Sequence, residues 1–183
     1  MSKMNWSDYK ELSEKTLSTE FHCGKQTENL LHGVVGILTE LEELMDWNDE
    51  VNKKEEVADV FWYIALLDRE LNLQLQIPKL NDNNFFQLKN ETLILQTIKS
   101  SCSALDHLKK KLFYNKQIDI EKLSKNVNYI FETMCVFCLL NKIDIEKILE
   151  SNINKLRARF GDKFTSERAL NRDIKLERTI LEQ

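Results

Sequence analysis

The residues of this chain best suited to chemistry are carboxylates, and their spacing is regular. Glu40 and Glu43 stand three apart, and so do Glu56 and Asp59. On a helix, a separation of three puts both side chains on one face. Carboxylates gathered at one place repel each other, and their ionised forms persist only beside cations. Donor sets made only of oxygen suit hard divalent ions, Mg²⁺ or Mn²⁺. A triphosphate is itself anionic and would approach four acids only through such an ion, so the pattern points to phosphate chemistry. The plain alternative is a solvated helix face. Glu is a good helix former, and Glu42, Asp46, Asp49, Glu50 and Glu55 make the whole stretch acidic.

Other reactive types are less promising. Cys135 and Cys138 form a C-x-x-C inside the apolar run 134–140, with no second pair. They read as buried thiols packing as small hydrophobes. His22, His32 and His107 show no metal-ligand spacing.

The acids need helices to position them, and helices are what the chain offers. Gly (4) and Pro (1) are scarce, which favours long uninterrupted segments and an all-α fold. Over residues 27–47, Leu30, Val34, Ile37, Leu41 and Leu44 recur at helical steps. Asn48-Asp49 marks a turn. Over residues 53–73, Val57, Val60, Ile64, Leu67 and Leu71 repeat the pattern. Two such helices on a short connection pack antiparallel. Each acid precedes a seam residue by one position (40 before 41, 43 before 44, 56 before 57, 59 before 60). One residue is about 100° of rotation, so all four lie on the same flank of their seams and converge beside the shared core.

The remaining elements follow the same logic. A first helix is expected over 6–18. Residues 77–91, with the only Pro and Asn81-Asp82-Asn83-Asn84, read as a linker. In a helix over 92–114, Ile98, Cys102, Leu105, Leu108 and Leu112 share one face. Asp119 caps a helix reaching about Leu140, and Asp144 caps another reaching about Phe160, stopped by Gly161. The tail, 165–183, is charged and amphipathic, with Ser166 as the cap of a last helix. The expected organisation is a first unit (1–76) carrying the acids, the linker (77–91), a second helical unit (92–164) and the tail (165–183), packed together as one antiparallel helical bundle.

Composition excludes some partners. The net charge is −4 with both signs dispersed, so there is no basic footprint for nucleic acid. The longest apolar run, 60–67, is far too short to span a bilayer. Residues 1–10 lack the charged-then-apolar pattern of a signal peptide. A cytoplasmic protein is expected.

The sequence around the acids sharpens the reading. Gly36-Ile37-Leu38-Thr39-Glu40-Leu41-Glu42-Glu43, followed by Glu55-Glu56-Val57-Ala58-Asp59-Val60-Phe61-Trp62-Tyr63, resembles the MazG-like all-α NTP pyrophosphohydrolases. That family's signature is E-x-x-E, a spacer, then E-x-x-D and an aromatic patch, often with a Leu-Leu-His upstream, here Leu30-Leu31-His32. Glu42 stands where the family commonly has Gly between the first two acids. Residues 152–160, Asp162-Lys163-Phe164 and Ala169-Leu170-Asn171-Arg172-Asp173 are similar to the family as well, so the resemblance covers most of the chain except 76–91.

The resemblance implies hydrolysis of a nucleoside triphosphate, more readily a dNTP, to a monophosphate and pyrophosphate. Glu40, Glu43, Glu56 and Asp59 would hold Mg²⁺, which generates the nucleophile and neutralises charge. Lys155 and Arg159, four apart on one helical face with Asn152, would grip phosphate oxygens; a solvated basic face is their alternative. Tyr63, four after Asp59, would contact base or sugar, or pack in the core. Trp47 and Trp62 are weaker candidates for a base platform. The family commonly dimerises, so a homodimer is a further expectation. A non-catalytic nucleotide-binding or regulatory protein on the same fold is the competing reading.

The motif region also recurs in degraded form. Leu112-Phe113-Tyr114-Asn115-Lys116 resembles an element that many family members carry between the two acidic helices. Laying 96–107 on 36–47 pairs Glu40 with Ser100 and Glu43 with Ser103. Laying 125–141 on 56–72 pairs Trp62 with Phe131, Glu56 with Lys125 and Asp59 with Asn128. The expectation is an internal pseudo-dimer whose second half keeps the seams and has lost all four acids.

Overall fold

The computed structural model describes residues 20–79, 88–161 and 165–182. These form seven helices and no strand: α1 (Lys25–Met45), α2 (Glu50–Leu71), α3 (Asn90–Tyr114), α4 (Ile120–Leu140), α5 (Ile145–Phe160), α6 (Ser166–Leu170) and α7 (Ile174–Leu181). The helix expected over 6–18, the asparagine cluster 81–84 and residues 162–164 lie outside the described residues. No helix among the described residues is long and apolar enough to cross a membrane.

Side chains that can satisfy free backbone N–H groups set the helix starts. The Asp49 carboxylate accepts from the N–H of Val51 (2.9 Å) and Asn52 (2.8 Å), so the expected turn is also the cap of α2. Asp119 and Asp144 cap α4 and α5 as expected, each accepting an N–H at 3.1 Å. Gly161, at φ 64°, ends α5 in the left-handed region where a side chain is strained. The tail departs from expectation. It forms two short helices rather than one, and neither is capped by Ser166. Thr165 caps α6 and Asp173 caps α7, because each places a side-chain oxygen one position before the helix.

Packing confirms the α1 seam and most of the α2 seam. Leu30, Val34, Ile37, Leu41 and Leu44 are fully buried, as are Val57, Val60 and Leu67. Each such burial contributes roughly 1.5–3 kcal/mol. Two glycines set how closely α1 and α2 approach. A Cβ on Gly33 would stand 2.6 Å from Leu67 Cδ2, and one on Gly36 would stand 2.2 Å from Tyr63 Cε1. α1 packs on α2 and α3, α4 on α3 and α2, α5 on α2, and α7 on α5. A single hydrophobic core runs from Leu30 to Ile148 through five of these helices.

The face expected for α3 holds at Leu108 and Leu112 and fails nearer the helix start. Cys102 is exposed, and Ile98 and Leu105 are only partly covered. The buried face is Leu93, Ile94, Thr97, Ser101, Ala104, Leu108 and Leu112. Hydrophobicity misses it because its centre is small and polar. Thr97 Oγ1 donates to Leu93 O and Ser101 Oγ to Thr97 O, both at 2.9 Å, so the hydroxyls are buried with their hydrogen bonds made.

Burial along α2 and α4 does not follow the alignment drawn from the sequence. Laying 125–141 on 56–72 sets fully buried Val60 against Tyr129, which is 43% exposed. One residue further on, Val57 matches Val127, Val60 matches Ile130, Phe61 matches Phe131, Ile64 matches Met134 and Leu67 matches Phe137, all of them buried. Phe61 and Phe131 themselves meet edge to face, with centroids 6.0 Å apart. Along α1 and α3, positions sixty residues apart are buried alike. Val34 and Ile94, Ile37 and Thr97, Leu41 and Ser101, and Leu44 and Ala104 are buried in pairs.

Cys135 and Cys138 are buried free thiols in α4. Burial pushes the Cys135 thiol up to about 12 and Cys138 up as well, which keeps both protonated and unreactive.

Candidate metal centre

The short connection 46–49 turns α2 back along α1, and the flank expected from the sequence becomes one acidic patch. Oxygens of Glu40, Glu43 and Glu56 all lie within 4.8 Å of one another. Glu56 is 5% exposed, and its Oε1 accepts from Asn52 Nδ2 at 2.6 Å. Burial, followed by repulsion from Glu55, Glu43, Asp59 and Glu40, pushes its carboxyl up to about 8. Glu40 is pushed up to about 7, first by burial and then by Asp59 and Glu43, while a hydrogen bond with Glu56 works the other way. Carboxyls crowded in this way hold a proton to higher pH than isolated ones do. A divalent cation would replace that proton, and a donor set of carboxylate oxygens fits Mg²⁺ or Mn²⁺.

Asp59 stands apart from this cluster. Its Oδ1 accepts from Asn152 Nδ2 at 2.5 Å, and its Oδ2 accepts from Lys155 Nζ at 2.6 Å. Lys155 also donates to Glu55 Oε1 at 3.1 Å. Both donors come from α5, and they are 2% (Asn152) and 1% (Lys155) exposed. The four acids are therefore unequal: three face one another, and the fourth is held from behind. Asp59 remains close enough to raise the carboxyls of Glu40 and Glu56 and the Tyr63 hydroxyl.

The acids line a cavity of about 500 Å³, within the usual size of small-molecule sites. One wall is aromatic. His32 meets Tyr63 at 5.4 Å and Trp62 at 6.1 Å between centroids, and Trp62 meets Tyr63 at 5.0 Å. The Tyr63 ring lies over Gly36, where no Cβ could be accommodated. Another wall is cationic, formed by Arg159 of α5 and Arg172 of the segment before α7. Both arginines bind Glu177, which is 3% exposed. Burial opposes ionisation of Glu177, and the two guanidiniums outweigh it, so its carboxyl lies below the usual range.

Glu40, Glu43, Glu56, Asp59, Tyr63 and Arg159 thus reach the cavity wall. Asn152 and Lys155 share a face of α5 with Arg159, but they lie behind Asp59 and off the wall. Trp62 lines the cavity. Trp47 does not, and its ring lies 4.7 Å from Lys53 Nζ. Sequence reasoning assigned no role to Glu55, Arg172 or Glu177. Arg172 stood inside a segment already noticed, which was a usable signal. Nothing local distinguishes Glu177 from other tail charges. No family model matches this chain, and no characterised protein or solved structure matches it.

Proposed function

We propose that this chain is a Mg²⁺-dependent nucleoside triphosphate pyrophosphohydrolase, acting most readily on a dNTP and releasing a monophosphate and pyrophosphate. The observation that carries the reading is the meeting of Glu40, Glu43 and Glu56 oxygens within 4.8 Å, on the wall of a cavity that also presents arginines. The resemblance of the acidic motif and of residues 152–160 to MazG-like enzymes supports it. Bound Mg²⁺ would supply a nucleophilic water at neutral pH and neutralise phosphate charge. The chain's own residues do the positioning. Asn152 and Lys155 orient Asp59 toward the acids, Arg159 and Arg172 offer guanidinium donors to phosphate oxygens, and Tyr63 with Trp62 offers an aromatic wall to base or sugar.

We read the second half as a degenerate copy of the first. On this reading, with Phe61 laid on Phe131, Glu40, Glu43, Glu56 and Asp59 would correspond to Ser100, Ser103, Asn126 and Tyr129. Asn126 Nδ2 donates to Ser103 Oγ at 3.1 Å, where the first half sets Glu56 beside Glu43. A neutral hydrogen bond takes the place of an acid pair, so this half needs no cation and serves as scaffold.

A panel of NTPs and dNTPs incubated with the protein and Mg²⁺, with pyrophosphate measured, tests the reading. Release from at least one nucleotide, abolished by Glu43→Gln, is expected. No release from any nucleotide, with binding retained, would leave the non-catalytic reading.

A further inference from the structure

Each cation on or behind the cavity wall is held by a carboxylate of the same chain, and one of these carboxylates comes from an unexpected place. Glu177 lies near the middle of α7 and meets the two arginines that line the cavity; Arg172 Nη2 also stands 3.9 Å from Glu55 Oε1. Arg159 donates to it through Nε (2.8 Å, Oε1) and Nη2 (2.5 Å, Oε2). Arg172 donates through Nε (3.2 Å) and Nη2 (2.7 Å), both to Oε2. Two guanidinium forks closing on one anion are a geometry that suits carboxylate and phosphate alike.

Charge supplies the fully buried part of what holds α7 in place; Ile180 and Leu181 are half-buried beside it, Leu181 in a groove it shares with Ala58 and Ile148. Glu177 is its one buried residue, while Ile174 is 70% and Leu176 47% exposed. Eight residues are too few for a stable isolated helix. Apart from Glu177, the ion pair of Arg178 Nη2 with Asp49 Oδ2 at 3.0 Å ties α7 to the start of α2; an exposed pair of this kind contributes little.

We infer that α7 is a strap whose Glu177 carboxylate occupies an anion subsite formed by Arg159 and Arg172. A polyphosphate entering the cavity competes for both arginines, displaces Glu177 and releases α7 from α5. The inference rests on the reading of the cavity as a polyphosphate site and adds its regulation: the closed strap keeps the subsite filled until a ligand with more negative charge than one carboxylate arrives.

Inorganic tripolyphosphate, without divalent ions, is the probe. Titrated calorimetrically, Glu177→Gln should bind it roughly 10- to 100-fold more tightly than wild type, since removing a charge-assisted competitor is worth about that factor. In wild type, tripolyphosphate should speed tryptic cleavage at Lys175 and Arg178, a readout that needs no variant. Equal or weaker binding by Glu177→Gln would overturn the strap and make Glu177 a residue that positions the arginines. Protection of Lys175 and Arg178 by the ligand, or no tripolyphosphate binding by either protein, would overturn it too. The two readings fail separately. A protein that shows strap release but hydrolyses no nucleotide keeps the strap and loses the enzyme, and one that hydrolyses nucleotides with α7 protected does the reverse.

Discussion

Replacing Glu56 with Gln removes one charge from the acidic cluster while keeping an oxygen for Asn52 Nδ2. The folded chain raises this carboxyl from an ordinary 4.5 to about 8. A group with a raised folded pKa contributes stability fully below its unfolded value, and that contribution is lost as pH rises through the folded value. The wild type should therefore weaken between about pH 4.5 and 8. At about 1.36 kcal/mol per pKa unit, the shift sets a ceiling of about 5 kcal/mol. The same repulsion acts at Glu40, and solvent in the cavity screens part of it, so about 1–2 kcal/mol is the realistic share of this side chain. For a chain of this size that is a rise of roughly 2–8 °C in Tm. Thermal melts in metal-free buffer should give the two proteins similar Tm values near pH 4.5 and a higher Tm for Glu56→Gln at pH 9. Mg²⁺ should raise the wild-type Tm at pH 8 and leave the variant nearly unchanged, because cation binding to the folded state is what it stabilises. A variant no more stable than wild type at pH 9, or an equal Mg²⁺ response in both, would refute the cation-site reasoning.

Lys155→Met should lower stability by about 3–5 kcal/mol in urea titrations, because it leaves Asp59 and Glu55 without their buried counter-charge. Gly36→Ala should displace the Tyr63 ring, costing about 1–3 kcal/mol and reducing pyrophosphate release more than it reduces Tm. Iodoacetamide should label Cys23 and Cys102 in the native protein and all four cysteines in denaturant, as read by intact mass; early labelling of Cys135 or Cys138 would contradict their burial in α4.

Much of the fold was legible because it is local. The seams of α1 and α2 are large apolar side chains at helical steps, and Asp119, Asp144 and Gly161 act within one turn of themselves. The phase of the acids against those seams was enough to bring Glu40, Glu43 and Glu56 together. The first half of α3 was misread because its buried face is carried by small side chains, Ala104 and the hydroxylic Thr97 and Ser101, which look polar until their hydroxyls turn back onto their own helix.

The sequence alone determined a helical chain with four acids on one flank of two seams, since helical period and side-chain volume are properties of neighbours. Only the tertiary structure decided that Asp59 belongs to Asn152 and Lys155, about a hundred residues away, and that a tail carboxylate, Glu177, closes on Arg159 and Arg172. Those pairings depend on α5 and α7 coming to rest beside α2. A charge buried there must find its partner wherever the fold puts one, and no local pattern records where that is.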